Sequence, residues 1–390
     1  MRKTFGFLGW VFLALSCIGN HPPAIKTGAE QPGEYLPILQ NKKVGLVVNH
    51  TSLVGREHLV DILLQRRIDL KKIFTPEHGF RGDAPAGELI RDGIDEQTGI
   101  PIISLYGETR KPTPEMLEGL DIIIFDIQDV GCRFYTYIST LHLVMEACAE
   151  NNKPLVVLDR PNPNGDYVAG PVLEPKYQSF VGMHPIPVVH GCTIGELALM
   201  INGENWLKSS GKCELTVIPS VHYSHRMRYS LPVPPSPNLP NDKAVRLYPS
   251  LCFFEATSIS IGRGTPFPFQ VLGAPDPQLG EFSFTPVSDA RAATNPLHEG
   301  KVCYGIDLRE LNEIPPFTLE YFLRFYQHFE NEQDFLTREN WLNLLAGTPK
   351  LIDQIRRGLT EKEIYETWNP ELDQYKKLRK KYLLYPDFDE

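Results

Sequence analysis

At 390 residues the chain exceeds the roughly 250 to 300 residues at which a single hydrophobic core stops growing, so two domains are expected. Its 42% apolar and 22% charged residues are those of an ordinary globular protein and exclude a disordered chain. The formal charge of -9, with no basic run to offset it, excludes nucleic acid as an expected partner.

The N-terminus reads as a targeting segment, in which Arg2 and Lys3 precede an apolar stretch over 5–15 that is too short to span a bilayer comfortably. It ends Leu13-Ala14-Leu15-Ser16-Cys17, similar to a bacterial lipoprotein box with Cys17 as the acylated residue, although Ala14 and Leu15 fit imperfectly and Ala14-x-Ser16 also suits an ordinary signal peptidase. Either way the protein is expected to be exported, periplasmic or lipid-anchored to the bacterial envelope, with Cys17 its sole membrane contact. Residues 1–17 are then signal and 18–42 a tether, followed by a first domain over 43–175 and a second over 176–390. Cys132, Cys148, Cys192, Cys213, Cys252 and Cys303 are scattered without a C-x-x-C pair, which predicts buried free thiols instead of a zinc cage or disulfide framework.

Val44-Gly45-Leu46-Val47-Val48 is an unbroken apolar run closing on Asn49-His50-Thr51, and a run without alternation belongs to a strand buried on both faces of a parallel sheet. Residues 59–64 read as a helix and 71–74 as a second strand. That strand enters Phe74-Thr75-Pro76-Glu77-His78-Gly79-Phe80-Arg81-Gly82-Asp83, where Pro76 and Gly79 stop any helix and the two glycines permit a sharp turn. The stretch reads as an active-site loop holding Glu77 and His78. Residues 102–105 and 121–125 add two strands, the second followed by Asp126-Ile127-Gln128-Asp129. Leu141, Val144, Met145 and Cys148 mark a helix over 137–151, and 155–158 form a strand ending at Asp159-Arg160-Pro161-Asn162.

Strands alternating with helices predict an α/β fold, with a Rossmann-like parallel sheet and right-handed crossovers in the first domain. Ligands of such sheets bind outside the carboxyl ends of the strands. Here that edge collects Asn49, His50, Glu77, His78, Asp126, Asp129, Asp159, Arg160 and Asn162, which solvated turns alone explain poorly. No Gly-x-Gly-x-x-Gly follows the first strand and no Gly-x-x-x-x-Gly-Lys-Ser/Thr occurs, so no dinucleotide or nucleotide cofactor is expected.

The second domain reads as smaller and α+β. Thr193 and Glu196 form a capping box for a helix over 194–207, 215–218 a strand, and 231–240 a proline-rich rigid loop. Residues 253–269 mix aromatics with Glu255, Arg263 and small polar groups, a composition suited to a sugar-binding wall and equally to an irregular core loop. After a strand over 302–306 the remainder reads as helices over 318–329, 335–345, 350–359, 362–368 and 370–384, the last begun anew by Asn369 as N-cap and Pro370 at N1.

The set Thr75-Pro76-Glu77-His78-Gly79, Phe125-Asp126-Ile127-Gln128-Asp129-Val130-Gly131-x-Arg133-Phe134-Tyr135-Thr136-Tyr137, Asp159-Arg160-Pro161-Asn162-Pro163 and Gly262-Arg263-Gly264-Thr265 resembles, in this order, the NamZ family of exo-acting β-N-acetylmuramidases. The resemblance covers nearly all of 44–384. It implies a Rossmann-like domain joined to a second subdomain with the active-site cleft between them, and release of N-acetylmuramic acid from non-reducing ends of peptidoglycan fragments. It also makes Glu77 the leading catalytic candidate.

Glycosidic cleavage takes two carboxyl groups, or one acid where a 2-acetamido sugar supplies its own carbonyl oxygen as nucleophile. Glu77 suits the acid, its pKa raised by burial or a neighbouring anion. Asp126, Asp129 and Glu88 are its candidate partners, and His78 completes the catalytic group. Asn49, Glu88, Arg133, Tyr137, Asp159, Arg160, Asn162 and Arg263 are candidate substrate contacts. A planar guanidinium meets the lactyl carboxylate of a muramyl sugar with two parallel hydrogen bonds, for which Arg160 and Arg133 are favoured over Arg263. Two other classes compete. A metal-dependent hydrolase would draw on His50, His78, Asp83, Asp126 or Asp159, without a tight ligand spacing to support it. A non-catalytic sugar-binding lipoprotein would not need several acids at one sheet edge.

Overall fold

The computed structural model describes residues 23–76, 92–107, 109–209 and 211–388. Its strands are β1 Lys43–Val48, the short hairpin β2 Leu53–Val54 and β3 Glu57–His58, β4 Asp69–Thr75, β5 Gly93–Ile94, β6 Pro101–Ser104, β7 Ile122–Asp126, β8 Leu155–Leu158, β9 Leu215–Ile218, β10 Val271–Ala274, β11 Phe282–Phe284 and β12 Cys303–Asp307. Seven of them form one sheet in the order β5-β6-β4-β1-β7-β8-β9, parallel except for the β5 edge. The chain steps from β1 outward through β4 to β6 and then returns to the other side of β1 with β7. The carboxyl ends of β1 and β7 therefore flank a topological switch point, where such sheets open a crevice.

Both faces of this sheet are covered, as the unalternated strands require. Val47, Phe74, Ile123, Phe125, Leu155 and Val157 pack with the helices Tyr137–Glu150 and Ile194–Gly203 in one core. Val44, Leu46, Val48, Ile73, Ile122, Ile124, Val156 and Leu158 pack with Tyr35, Leu39, Leu59, Val60 and Leu63 in another. Gly45 marks a register shift between β1 and β4, and a Cβ there would lie 2.7 Å from the Leu120 and 2.8 Å from the Ile123 terminal methyls, which would have to shift.

Beyond the sheet, β10-β12-β11 form a small antiparallel sheet. It is accompanied by the helices Glu320–His328, Glu339–Ala346, Lys350–Arg356 and Glu361–Arg379. Phe253, Phe254, Phe317, Phe322, Phe325 and Phe335 interlock there, mostly edge to face. The final tail then returns to the first sheet, where Leu384 N–H donates to Glu196 and the Tyr385 hydroxyl donates to Asp159.

Several expectations are corrected. Residues 23–42 are not a tether: Lys26 bridges Val221, Gly28 N–H donates to Asp159 O at 2.8 Å, and a helix Pro32–Leu39 buries Tyr35 and Leu39. The large sheet continues past residue 175 to β9. The helices expected over 362–368 and 370–384 are one, Glu361–Arg379, which tolerates Pro370 because Ile364, Trp368 and Tyr375 anchor it on both sides of the proline. The helix Asp242–Leu251, capped by Asn241, and strand β10 were not anticipated. Phe253 and Phe254 are core, so only part of the 253–269 stretch serves as a wall.

Candidate active site

A cleft of about 560 Å³ opens between the carboxyl edge of the large sheet and the C-terminal part of the chain. The segment leaving β6 contributes Tyr106 and Arg110, and the segment between β7 and the helix Tyr137–Glu150 contributes Phe134, Tyr135, Thr136 and Tyr137. The opposite wall is built from Ser236, Asn238, Tyr248, Glu255, Arg263, Phe269 and Trp341, with Ser179 and Phe180 closing one side. Aromatic faces beside a few polar groups are the composition that stacks on sugar rings and fixes their hydroxyls.

Charge in this cleft is sparse. Glu255 is the only acid among the described residues that line it. Its Oε1 accepts from Arg263 Nη2 at 2.5 Å, and the Arg263 guanidinium lies 5.1 Å from the centre of the Phe269 ring. Gly262 and Gly264 flank Arg263 with φ of +78° and +79°, the left-handed region that residues with a Cβ avoid, and a Cβ on Gly264 would meet Val287 O at 2.6 Å. The glycines thus present Arg263 to Glu255. A smaller cavity of about 310 Å³ shares Glu255 and Arg263 and continues toward Ile261, Leu297 and Arg338.

Of the residues expected from the sequence, Tyr137 and Arg263 line the cleft, and so does Glu255 from the stretch read as a sugar-binding wall or core loop, though it was not singled out as a site residue; Arg110 and Tyr248 were missed. Glu77, His78, Asp83 and Glu88 lie outside the described residues. The others make internal contacts among the described residues. Asp126 is fully buried, with Oδ1 2.6 Å from Arg160 Nε and Oδ2 2.9 Å from Arg160 Nη2, while that Nη2 also donates to Leu53 O. Arg160 is therefore spent on Asp126. Arg133 is fully buried and donates to three carbonyls, those of Pro171, Ile186 and Leu345, so no carboxylate can reach it.

Asn49 is a turn residue, its Oδ1 accepting from Thr51 N–H at 2.9 Å and from the Thr51 hydroxyl at 2.6 Å. Asn162 holds the loop after β8, accepting from Asn164 N–H and donating to Cys192 O. Asp159 accepts from four donors: Arg160 N–H, Gly195 N–H, and the Thr193 and Tyr385 hydroxyls. Burial pushes its carboxyl up to about 6, with Glu196 adding to the rise, while the hydrogen bonds from Tyr385, Thr193 and Gly195 pull the other way. With Asp126 and Asp159 so occupied, the metal-hydrolase reading loses two of its proposed ligands.

Asp129 also faces inward. Its Oδ2 accepts from Gly131 N–H at 2.7 Å and lies 3.7 Å from His190 Nε2, and its Oδ1 has no partner among the described residues. Cys192 N–H donates to His190 Nδ1, which leaves the ring proton on Nε2, toward Asp129.

The parallel sheet, its switch-point crevice and a cleft walled by aromatics, with one carboxylate among the described residues, define a Rossmann-like α/β protein with a carbohydrate-type cleft at the sheet edge. Two family models match the chain, that of the exo-β-N-acetylmuramidase NamZ N-terminal region over 44–243 and that of its C-terminal region over 246–385. The chain belongs to the NamZ family. It is 41% identical to the peptidoglycan β-N-acetylmuramidase NamZ of Bacillus subtilis strain 168, over 99% of this chain and 100% of that protein. Crystal structures of two DUF1343 family proteins from Bacteroides fragilis NCTC 9343 superpose on it. One has a TM-score of 0.87 at 46% identity and covers 94% of this chain and 100% of its own. The other has a TM-score of 0.79 at 31% identity and covers 93% and 99%.

Proposed function

We propose that the protein is an exo-acting glycoside hydrolase that releases N-acetylmuramic acid from the non-reducing ends of peptidoglycan fragments. The observation that carries this reading is the match of both NamZ family models across 44–385, on a fold whose sheet edge opens into an aromatic-walled cleft. Glu77, which follows β4 after Pro76, is the proposed acid that protonates the leaving oxygen. Glu255 takes the place given from sequence to Asp126 and Asp129: it is the carboxylate that acts as base or nucleophile, or that orients the acetamido group when the substrate supplies its own nucleophile. Tyr106 and Trp341, part-buried aromatics of the cleft, offer the stacking faces, with the buried rings of Tyr137, Tyr248 and Phe269 behind the wall.

The test is incubation with a MurNAc-GlcNAc disaccharide followed by mass analysis. Free N-acetylmuramic acid and N-acetylglucosamine in equal amounts support the proposal. A disaccharide that is bound yet intact after prolonged incubation would turn the reading to a sugar-binding protein.

Export with Cys17 as a lipid-modified anchor fits a cell-wall substrate and is part of the same proposal. Membrane association of the full chain that is abolished by Cys17→Ala would support it, and an unchanged distribution would count against it.

A further inference from the structure

A muramyl residue differs from a glucosaminyl residue by its lactyl carboxylate, so selection between them calls for a cation in the cleft. Arg133 and Arg160 are excluded by their internal partners. Arg263 faces the cleft but is paired with Glu255, and a second carboxylate brought to it would sit against the Glu255 charge. Arg110 is placed differently. It is exposed at the cleft wall, its guanidinium lies 4.2 Å from the centre of the Phe180 ring, and it has no hydrogen-bond or ionic partner among the described residues.

We propose that Arg110 is the specificity-determining residue that binds the lactyl carboxylate; this rests on the muramidase reading above. The Phe180 ring, its centre 4.2 Å from the guanidinium carbon, restrains the side chain, and the guanidinium N–H donors have no partner among the described residues, which lowers the ordering cost of forming a bidentate pair. Because its charge is not already matched by a described acid, an incoming carboxylate gains attraction without displacing a partner. The expected discrimination from one charge-assisted contact of this kind is about 10- to 150-fold.

The experiment is calorimetric titration of the full chain with N-acetylmuramic acid and, separately, N-acetylglucosamine, for the wild type, R110M and R110K. R110M should lose about 10- to 150-fold in affinity for the acidic sugar and keep its affinity for the neutral one, with R110K between, since lysine retains the charge but not the fork. Unchanged binding of both sugars in R110M, equal weakening of both, or a wild type without preference for the acidic sugar would each overturn the proposal. If the preference is present and lost in R110M but no variant cleaves the disaccharide, the hydrolase reading fails while the carboxylate contact stands.

Discussion

Arg160 holds Asp126 by both carboxylate oxygens, at 2.6 and 2.9 Å, where β7 ends and the chain leaves β8. The pair is almost wholly buried and ties the carboxyl ends of β7 and β8 together, with Leu53 O as a third contact. Removing one partner leaves the other charge buried and unpaired, which costs about 3 to 5 kcal/mol. Arg160→Met is therefore expected to lower unfolding free energy by that amount, and Arg160→Met with Asp126→Asn to lose less than the sum of the two single changes. Urea melts of the four proteins check this. Additive losses would mean that the pair is not coupled.

Arg133 is expected to behave as a strut. Its guanidinium satisfies the carbonyls of Pro171, Ile186 and Leu345, and each buried carbonyl left without a donor costs about 1 to 3 kcal/mol. Arg133→Met should thus destabilise the protein by about 3 kcal/mol or more, and Arg133→Lys should rescue little because one ammonium cannot span three carbonyls fixed around a planar fork. Thermal melts decide it: a variant as stable as the wild type would rule out the strut.

The contrast between these arginines shows what the sequence made legible. Strands 155–158 and 215–218 and the Thr193 and Glu196 capping box stand as expected, because an apolar run and a cap are local signals. The helix Pro32–Leu39 was missed because two prolines hide its short pattern and its support, the contacts of residues 26–28 with Val221 and Asp159, lies far away in sequence. At the sheet edge the sequence located the right loops but not the direction of their side chains. Asp126, Arg133, Asp159, Arg160 and Asn162 carry the family motifs yet point inward to hold those loops, whereas Arg110 sits in an ordinary charged stretch and takes its place in the cleft beside Phe180, seventy positions on.

Turnover should separate the two proposed carboxyl groups. Glu77→Gln is expected to lower kcat by at least about 10²-fold, the low end for a general acid. Glu255→Gln should lower kcat comparably. The two variants should retain the disaccharide affinity of the wild type within a few fold. Wild-type kcat in the Glu255 variant would reduce its pairing with Arg263 to a structural role.

The C-terminal clasp gives the protein an acid sensitivity that can be assigned. Arg379 donates to both oxygens of Asp387 at 2.8 and 2.9 Å and also to Gly191 O, with both side chains 1% exposed. Burial alone would raise the Asp387 carboxyl, but the hydrogen bonds and charge of Arg379, with Phe388 N–H and His225 nearby, bring it below its ordinary value of 3.8. In the unfolded chain the same group takes up its proton near that ordinary value. Between the two values the unfolded state binds more protons, so stability rises with pH there and the contribution of the clasp is complete only above it. As pH falls from about 5 through 3.8 and below the folded-state value, that contribution is lost. Asp387→Asn removes the ion pair at every pH, so it should be less stable than the wild type at pH 7 by about 3 to 5 kcal/mol. Other carboxyl groups titrate in the same window in both proteins, which makes the difference between them the informative quantity. Paired melting curves from pH 7 to pH 3 should show that difference shrinking as the wild type protonates Asp387. A difference that stayed constant across this range would show that Asp387 does not titrate with folding, and the clasp would then owe its stability to packing around Tyr385 and Phe388 instead.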